Sequence, residues 1–300
     1  MKSFSLMLKR NVVMFFKDKM TFFVSLITPM ILLVLYATFL GNVYKNSLVT
    51  SLPVGITISE GVINGFVGGQ LFSSLLAVSC ITVSFNSNML SVQDKINGAL
   101  TDFNMTPLNK GKLSLSYFFA SVFSTLIVCF FATLACCIYI ALIGWYMTFA
   151  DILLIFADVI ILVIFGTALS SVINIFLTTQ GQISAVGSIV SSCYGFISGA
   201  YMPLSQLGSG FRAAVMFLPG TYGTSVLRNA ALGGVIGEIA KEGVPDIAIT
   251  GIRDSVDCNL YFFGTSVSVG AMYAVLLSAT VIFVCAYVAL NKARLKKGAR

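Results

Sequence analysis

The chain has 300 residues, of which 57% are hydrophobic and 10% charged, with no histidine and a formal net charge of +7. So few charges cannot clothe the exterior of a soluble protein of this size. Without histidine, Ser-His proteolysis, zinc-histidine chemistry and haem ligation by histidine are excluded.

Residues 1–19 come first. At 100° per residue, Lys2, Lys9, Arg10 and Lys17 share one face, while Phe4, Met7, Leu8, Met14 and Phe15 gather opposite. This predicts an amphipathic helix lying at the interface, its cations against anionic membrane lipid. The apolar stretch that follows, 22–44, is too long for a signal-peptide core and lacks a small-residue cleavage site.

Five stretches carry no charge at all: 20–44, 61–93, 113–150, 159–211 and 258–291. A bilayer core needs about 20 apolar residues to be crossed as a helix. The stretch 159–211 is too long for one helix and breaks at the polar run Thr178-Thr179-Gln180-Gly181-Gln182. The expectation is an all-α polytopic membrane protein, one domain over 1–300, with spans near 21–44, 61–90, 113–143, 151–176, 183–201 and 261–290. Lys and Arg cluster before the first span and after the last, so both termini are expected in the cytoplasm, which requires an even number of spans. The segment 91–112 is then cytoplasmic and 202–260 lies outside. The positive charge is an orientation signal and implies no nucleic acid.

Within the spans, Gly61, Gly65, Gly69 and Ser73 recur every fourth residue, as do Gly187, Ser191, Gly195 and Gly199. Small residues at this spacing let helices approach closely, either in ordinary packing or at a dimer or pathway interface. Asp151 and Asp158 share a face of the fourth span. An intramembrane carboxylate such as Asp158 either serves a cation, a proton or a substrate route, or sits protonated or hydrogen-bonded near the outer leaflet. Six of the seven cysteines fall in apolar spans and read as packing residues; no metal-ligand spacing is visible.

The most specific local signal is the cytoplasmic run Asp94-Lys95-Ile96-Asn97-Gly98-Ala99-Leu100-Thr101-Asp102-Phe103-Asn104-Met105-Thr106-Pro107-Leu108-Asn109. A charged pair at the end of a span, a glycine, then a short helix closed by Thr-Pro makes a protruding elbow, because Pro107 disfavours helix at Thr106. This run resembles the loop of type-2 ABC transporter permeases, with Asp94, Lys95, Gly98, Leu100, Thr106, Pro107 and Leu108 matching, while Ile96 and Ala99 replace a second acid and a threonine. Phe196-Ile197-Ser198-Gly199-Ala200-Tyr201-Met202-Pro203-Leu204-Ser205-Gln206-Leu207 is similar to that family's signature at the outer end of span five. Leu218-Pro219-Gly220-Thr221-Tyr222, followed by Arg228, is similar to its continuation.

The resemblance implies the membrane subunit of an ATP-driven exporter, at the cell membrane, as a homodimer or with a paralogous permease. It implies a cytoplasmic ABC ATPase subunit that binds ATP and Mg, so that no cofactor, metal or catalytic residue belongs to this chain. No GxxxxGK[ST] phosphate loop occurs in the sequence, which points the same way. The elbow (Asp94, Lys95, Gly98, Leu100, Thr106, Pro107) would couple to the ATPase. Gly199, Pro203 and Asp158 would belong to the pathway or its exit, and short re-entrant helices after Pro203 would cap it. The cargo would be amphipathic: a drug, a lipid-linked glycan or a peptide. An ion- or proton-coupled secondary transporter is the alternative, but Asp158 is its only clear buried titratable group.

Overall fold

A computed structural model describes residues 2–52, 58–106 and 110–297. Among the described residues the regular structure is helical apart from one small hairpin. In order, the helices are α1 (Lys2–Lys17), α2 (Lys19–Leu35), a π-helical turn Tyr36–Leu40, α3 (Gly41–Ser51), α4 (Glu60–Asn88), α5 (Leu90–Ile96), α6 (Ala99–Met105), α7 (Lys110–Ile143), α8 (Phe149–Phe176) and α9 (Gln180–Ile197). After a 3₁₀ turn at Leu204–Gln206 come α10 (Ser209–Val215), α11 (Pro219–Lys241) and α12 (Asp246–Ser255). Strands β1 (Leu260–Phe262) and β2 (Thr265–Val267) pair antiparallel, with Tyr261 opposite Ser266, before α13 (Val269–Lys297).

Among the described residues, five helical stretches are long and apolar enough to cross a membrane: Ser25–Thr50, Glu60–Ile96, Gly111–Ile143, Phe149–Phe176 and Val269–Lys292. The fifth expected span, 183–201, falls on α9, whose 18 residues include Gln180 and Gln182 and are less apolar than those five stretches. Two boundaries differ from expectation. The first helical stretch continues through the π turn to Ser51, where an outside loop was expected from Lys45. Residues 261–267 belong to the hairpin, so the last long helix begins at Val269. The hairpin turn needs left-handed backbone at Phe263 and Gly264, and that reversal precludes helix there.

Helix α4 is the axis of the bundle. It is buried from Val62 to Asn88 with few breaks, packed by α2, α7, α8 and α11. Its glycines make this possible. A Cβ at Gly65 would stand 2.6 Å from the Tyr146 ring, and one at Gly69 would stand 3.0 Å from the Ala231 carbonyl oxygen. The first small-residue stripe is therefore used in packing within the chain. Helices α2, α7, α8 and α13 turn apolar side chains outward along their length, among them Ile27, Met30, Phe123, Phe131, Leu153, Leu154, Val281 and Ile282. That is the surface of a protein whose solvent is hydrocarbon.

Helix α1 is amphipathic but does not leave its apolar face free. Asn11 and Phe15 are buried, Phe15 joining Val83 and Val128, and Phe4 meets Phe119 edge-on at 6.3 Å. Lys9 and Lys17 are exposed; the side chain of Lys2 lies outside the described residues. Arg10 is not on the outward face, as described next.

Candidate functional site

Two regions stand out. The first is the elbow around Gly98. Helix α5 ends at Asn97, Gly98 adopts φ +82°, and α6 leaves in a new direction. A left-handed backbone at this corner strains any residue with a Cβ, which is why a glycine stands there. Asp94 and Lys95, adjacent in sequence, point to different neighbours. Asp94 is buried and accepts from Arg10 Nη2 at 3.0 Å on one oxygen, and from Arg10 Nη1 and the Tyr117 hydroxyl, the latter at 2.6 Å, on the other. Lys95 donates to the Leu177 carbonyl at 2.6 Å, beyond the last turn of α8.

The Arg10 guanidinium also lies over the Phe103 ring, 5.1 Å from its centroid, a cation–π contact with α6. One side chain thus joins α1 to both arms of the elbow. The hydrogen bonds it donates to Asp94 hold Arg10 protonated above even its ordinary high pKa. Thr101, Asp102, Met105 and Thr106 are exposed on the outer side of the corner, while Leu100 is half-buried against it. Pro107 and Leu108 lie outside the described residues.

The second region is a lateral groove of about 900 Å³ between α2 and α9, floored by Asn86, Met89 and Gln93. Its α2 wall is apolar, with Ile27, Ile31, Leu35 and Phe39; its α9 wall carries Gln180, Ser184, Ser188 and Ser192, one turn apart. The small residues of α9 divide their duties. Gly187 would bring a Cβ 2.9 Å from Met89 Cε, and Gly195 one 2.3 Å from the Tyr201 ring, so both pack inside the chain. Cys193 is exposed, unlike a core packing residue.

Above the groove, α9 ends at Ser198 and Gly199 turns left-handed at φ +74°. The Gly199 carbonyl accepts from Arg228 Nη2, whose Nη1 bonds Asp257 Oδ2 at 3.0 Å. The same carboxylate oxygen accepts from the Leu204 amide at 2.8 Å, fixing the turn that follows buried Pro203. Nη2 also reaches Ser74 Oγ at 3.4 Å. With its amide oxygen turned inward, Gln70 accepts from Nε and Nη2 at 3.2 Å. Tyr36, at the start of the π turn, donates to Ser74 at 3.2 Å and stacks on Tyr44. A fully buried guanidinium therefore ties α4, the end of α9, α11 and the segment before β1 together.

Asp158 belongs to neither region. It is buried between α8 and α13, accepts from the Tyr273 hydroxyl at 2.7 Å, and does not line the groove. Gly199 and Pro203 are brought together; Asp158 is not with them. Asp151, its companion on the sequence face, is instead the third residue of a capping box with Thr148 at the start of α8. Sequence reasoning missed two of the most connected residues. Arg10 read as one more headgroup cation, and Arg228 only as part of a motif. The signal for Arg228 was its presence in an otherwise apolar and small-residue stretch, since a lone charge there needs a buried partner.

Long apolar helices around a buried α4 define a multi-pass membrane protein. The model of the ABC-2 type transporter family matches residues 2–232, and the chain belongs to that family. Members are the membrane components of ABC transporters, generally without an ATPase site of their own, and membership implies partnership with an ABC ATPase subunit. No curated protein matches the chain.

Proposed function

We propose that this chain is the permease subunit of an ATP-driven exporter in the cell membrane, with both termini cytoplasmic and six spans, α9 being the fifth. The elbow α5–Gly98–α6 is the coupling element, and the observation that carries this reading is its anchorage. Asp94 and Phe103 are tied through Arg10 to α1, Asp94 through Tyr117 to α7, and Lys95 to the end of α8. A push on the exposed side of α6 would therefore move several helices at once. ATP and Mg bind to the partner ATPase. The exposed positions Thr101, Asp102, Met105 and Thr106, with Pro107, would meet that subunit.

The groove between α2 and α9 is the cargo route, completed by a second copy or a paralogous permease. Helices α10 and α11 form its outer cap, re-entering from outside, with Gly199 and Pro203 at the exit; α11, with 23 residues, is longer than the short helices expected. Helix α1 rests at the cytoplasmic interface with Lys9 and Lys17 toward lipid headgroups.

The test is reconstitution of the full chain with its ABC ATPase. Gly98→Val should insert in the membrane and bind the ATPase, yet lose most of the dependence of ATP hydrolysis on the permease. Unchanged coupling in Gly98→Val would remove the elbow from this role. The chain purified alone should hydrolyse no ATP.

A further inference from the structure

We infer that the groove between α2 and α9 receives an uncharged amphiphile, its hydroxyl or amide groups on Asn86 and the α9 serines and its hydrocarbon against α2. The inference deepens the export reading and rests on it only in treating the bound molecule as cargo.

The groove's volume of about 900 Å³ falls in the range of roughly 300–1,000 Å³ over which small-molecule sites occur. Its two walls differ in kind. Ile27, Ile31, Leu35 and Phe39 offer only hydrocarbon and one aromatic ring, whereas Ser184, Ser188 and Ser192 offer hydroxyls that donate and accept. On the floor stands Asn86, 7% exposed, whose carboxamide has no hydrogen-bond partner among the described residues. Its amide opens onto the groove, where a group that both donates and accepts would satisfy it once water is displaced. A hydroxyl or an amide meets that requirement.

Charge decides the rest. No Asp, Glu, Lys or Arg lines the groove among its described residues. Both walls come from stretches, 20–44 and 159–211, that carry no charge anywhere in the sequence. An ion entering there would give up its hydration and find no counter-charge. Phosphate-bearing and quaternary-ammonium amphiphiles are therefore disfavoured, which removes pyrophosphate-linked glycans from the range of cargo. The outer cavity, of about 810 Å³, is unlike the groove in this respect, with Arg212 and Asp254 both on its wall.

The experiment uses the full chain with its ABC ATPase in phosphatidylcholine nanodiscs. Three photoactivatable probes of equal chain length are compared: a diacylglycerol, a phosphatidate and a trimethylammonium amphiphile. Labelled peptides are mapped by mass spectrometry. The diacylglycerol should label the α2 and α9 walls about tenfold more than either charged probe. Asn86→Leu should lower that labelling several-fold, and Ser188→Asp, at an exposed position, should admit the trimethylammonium probe and exclude the phosphatidate further. Equal labelling by phosphatidate in the native chain would overturn the inference. So would labelling that neither variant moves, or a groove shielded from all three probes by a second copy. ATPase binding is read on the same samples, so that groove labelling without bound ATPase would sink the exporter reading and leave this one standing.

Discussion

Two arginine–aspartate pairs, Arg228–Asp257 and Arg10–Asp94, join distant parts of the chain, and they differ in what surrounds them. The Arg228 and Asp257 side chains are 1% and 5% exposed, while the Arg10 side chain is 29% exposed. Arg228 has Gln70 and Ser74 of α4 and the Gly199 carbonyl as further partners, so its guanidinium is met from several sides. Arg10 has Asp94, the neighbouring Asn11 and the Phe103 ring, with one side open to water. A buried pair loses so much hydration that removing one partner strands the other, whereas a half-exposed pair can be resolvated as it opens. The outer pair is suited to fixing a shape. The Arg10–Asp94 pair is suited to a joint that can open.

Mutations can break or sharpen this contrast. The largest effect is expected for Arg228→Met, which leaves Asp257 buried and unpaired and should cost about 3–5 kcal/mol. It would be read as a fall in melting temperature and in yield of folded protein in detergent. Adding Asp257→Asn removes the stranded charge while keeping an acceptor for the Leu204 amide, and should recover most of that loss. If the double variant is no more stable than the single one, the pair is not the source of the penalty.

Arg10→Ala should cost less, about 1–3 kcal/mol, because Asp94 keeps the Tyr117 hydroxyl and gains water. The native pair should also weaken as salt is raised, while the outer pair should not, a difference that melting curves at low and high ionic strength would reveal. Arg10→Lys should rescue only in part, since a point charge cannot reproduce the two-pronged contact or the stacking on Phe103. Limited proteolysis across 90–106 should report the opened elbow.

Gly98→Ala should cost about 1–2 kcal/mol from the left-handed backbone alone. Its effect should be confined to the elbow, with α9 unchanged by cysteine labelling at exposed Cys193. The smallest change is expected for Thr148→Ala, which removes one half of the capping box with Asp151 and should cost about 1 kcal/mol. It serves as a control for ordinary helix-end damage in the same membrane protein.

Much of this was legible in the sequence for a simple reason. Apolar spans and their polar breaks are local properties, and the elbow announces itself through Gly98 and the Thr-Pro pair after it. The turn at Gly199 was not legible, since the residue was expected within span five as part of a small-residue stripe. The ends of the spans were only partly so. Nothing in the polar stretch Gly41–Ser51 forbids helix, and α3 is held against α4 and α12 by contacts that no local pattern encodes. The residues from Leu260 to Val267 are apolar and β-branched enough to read either way, and the left-handed turn at Phe263 and Gly264 settled them as a hairpin.

Asp158 and Arg10 show the limit from two sides. A carboxylate in a span leaves a functional and a hydrogen-bonded role open, and it is α13 that supplies Tyr273 to one of the two Asp158 oxygens. A cation on an amphipathic helix reads as a lipid contact, yet it closes on Asp94, 84 residues later. The sequence by itself determined the solvent, the helical class, the family and the corner at Gly98, since hydropathy and backbone permissiveness act over a few residues. Only the tertiary structure decided which charges are paired, which glycines are packing and which face of α9 stays open to a groove. Those outcomes depend on what the other helices bring within a few ångströms, and that distance is not written along the chain.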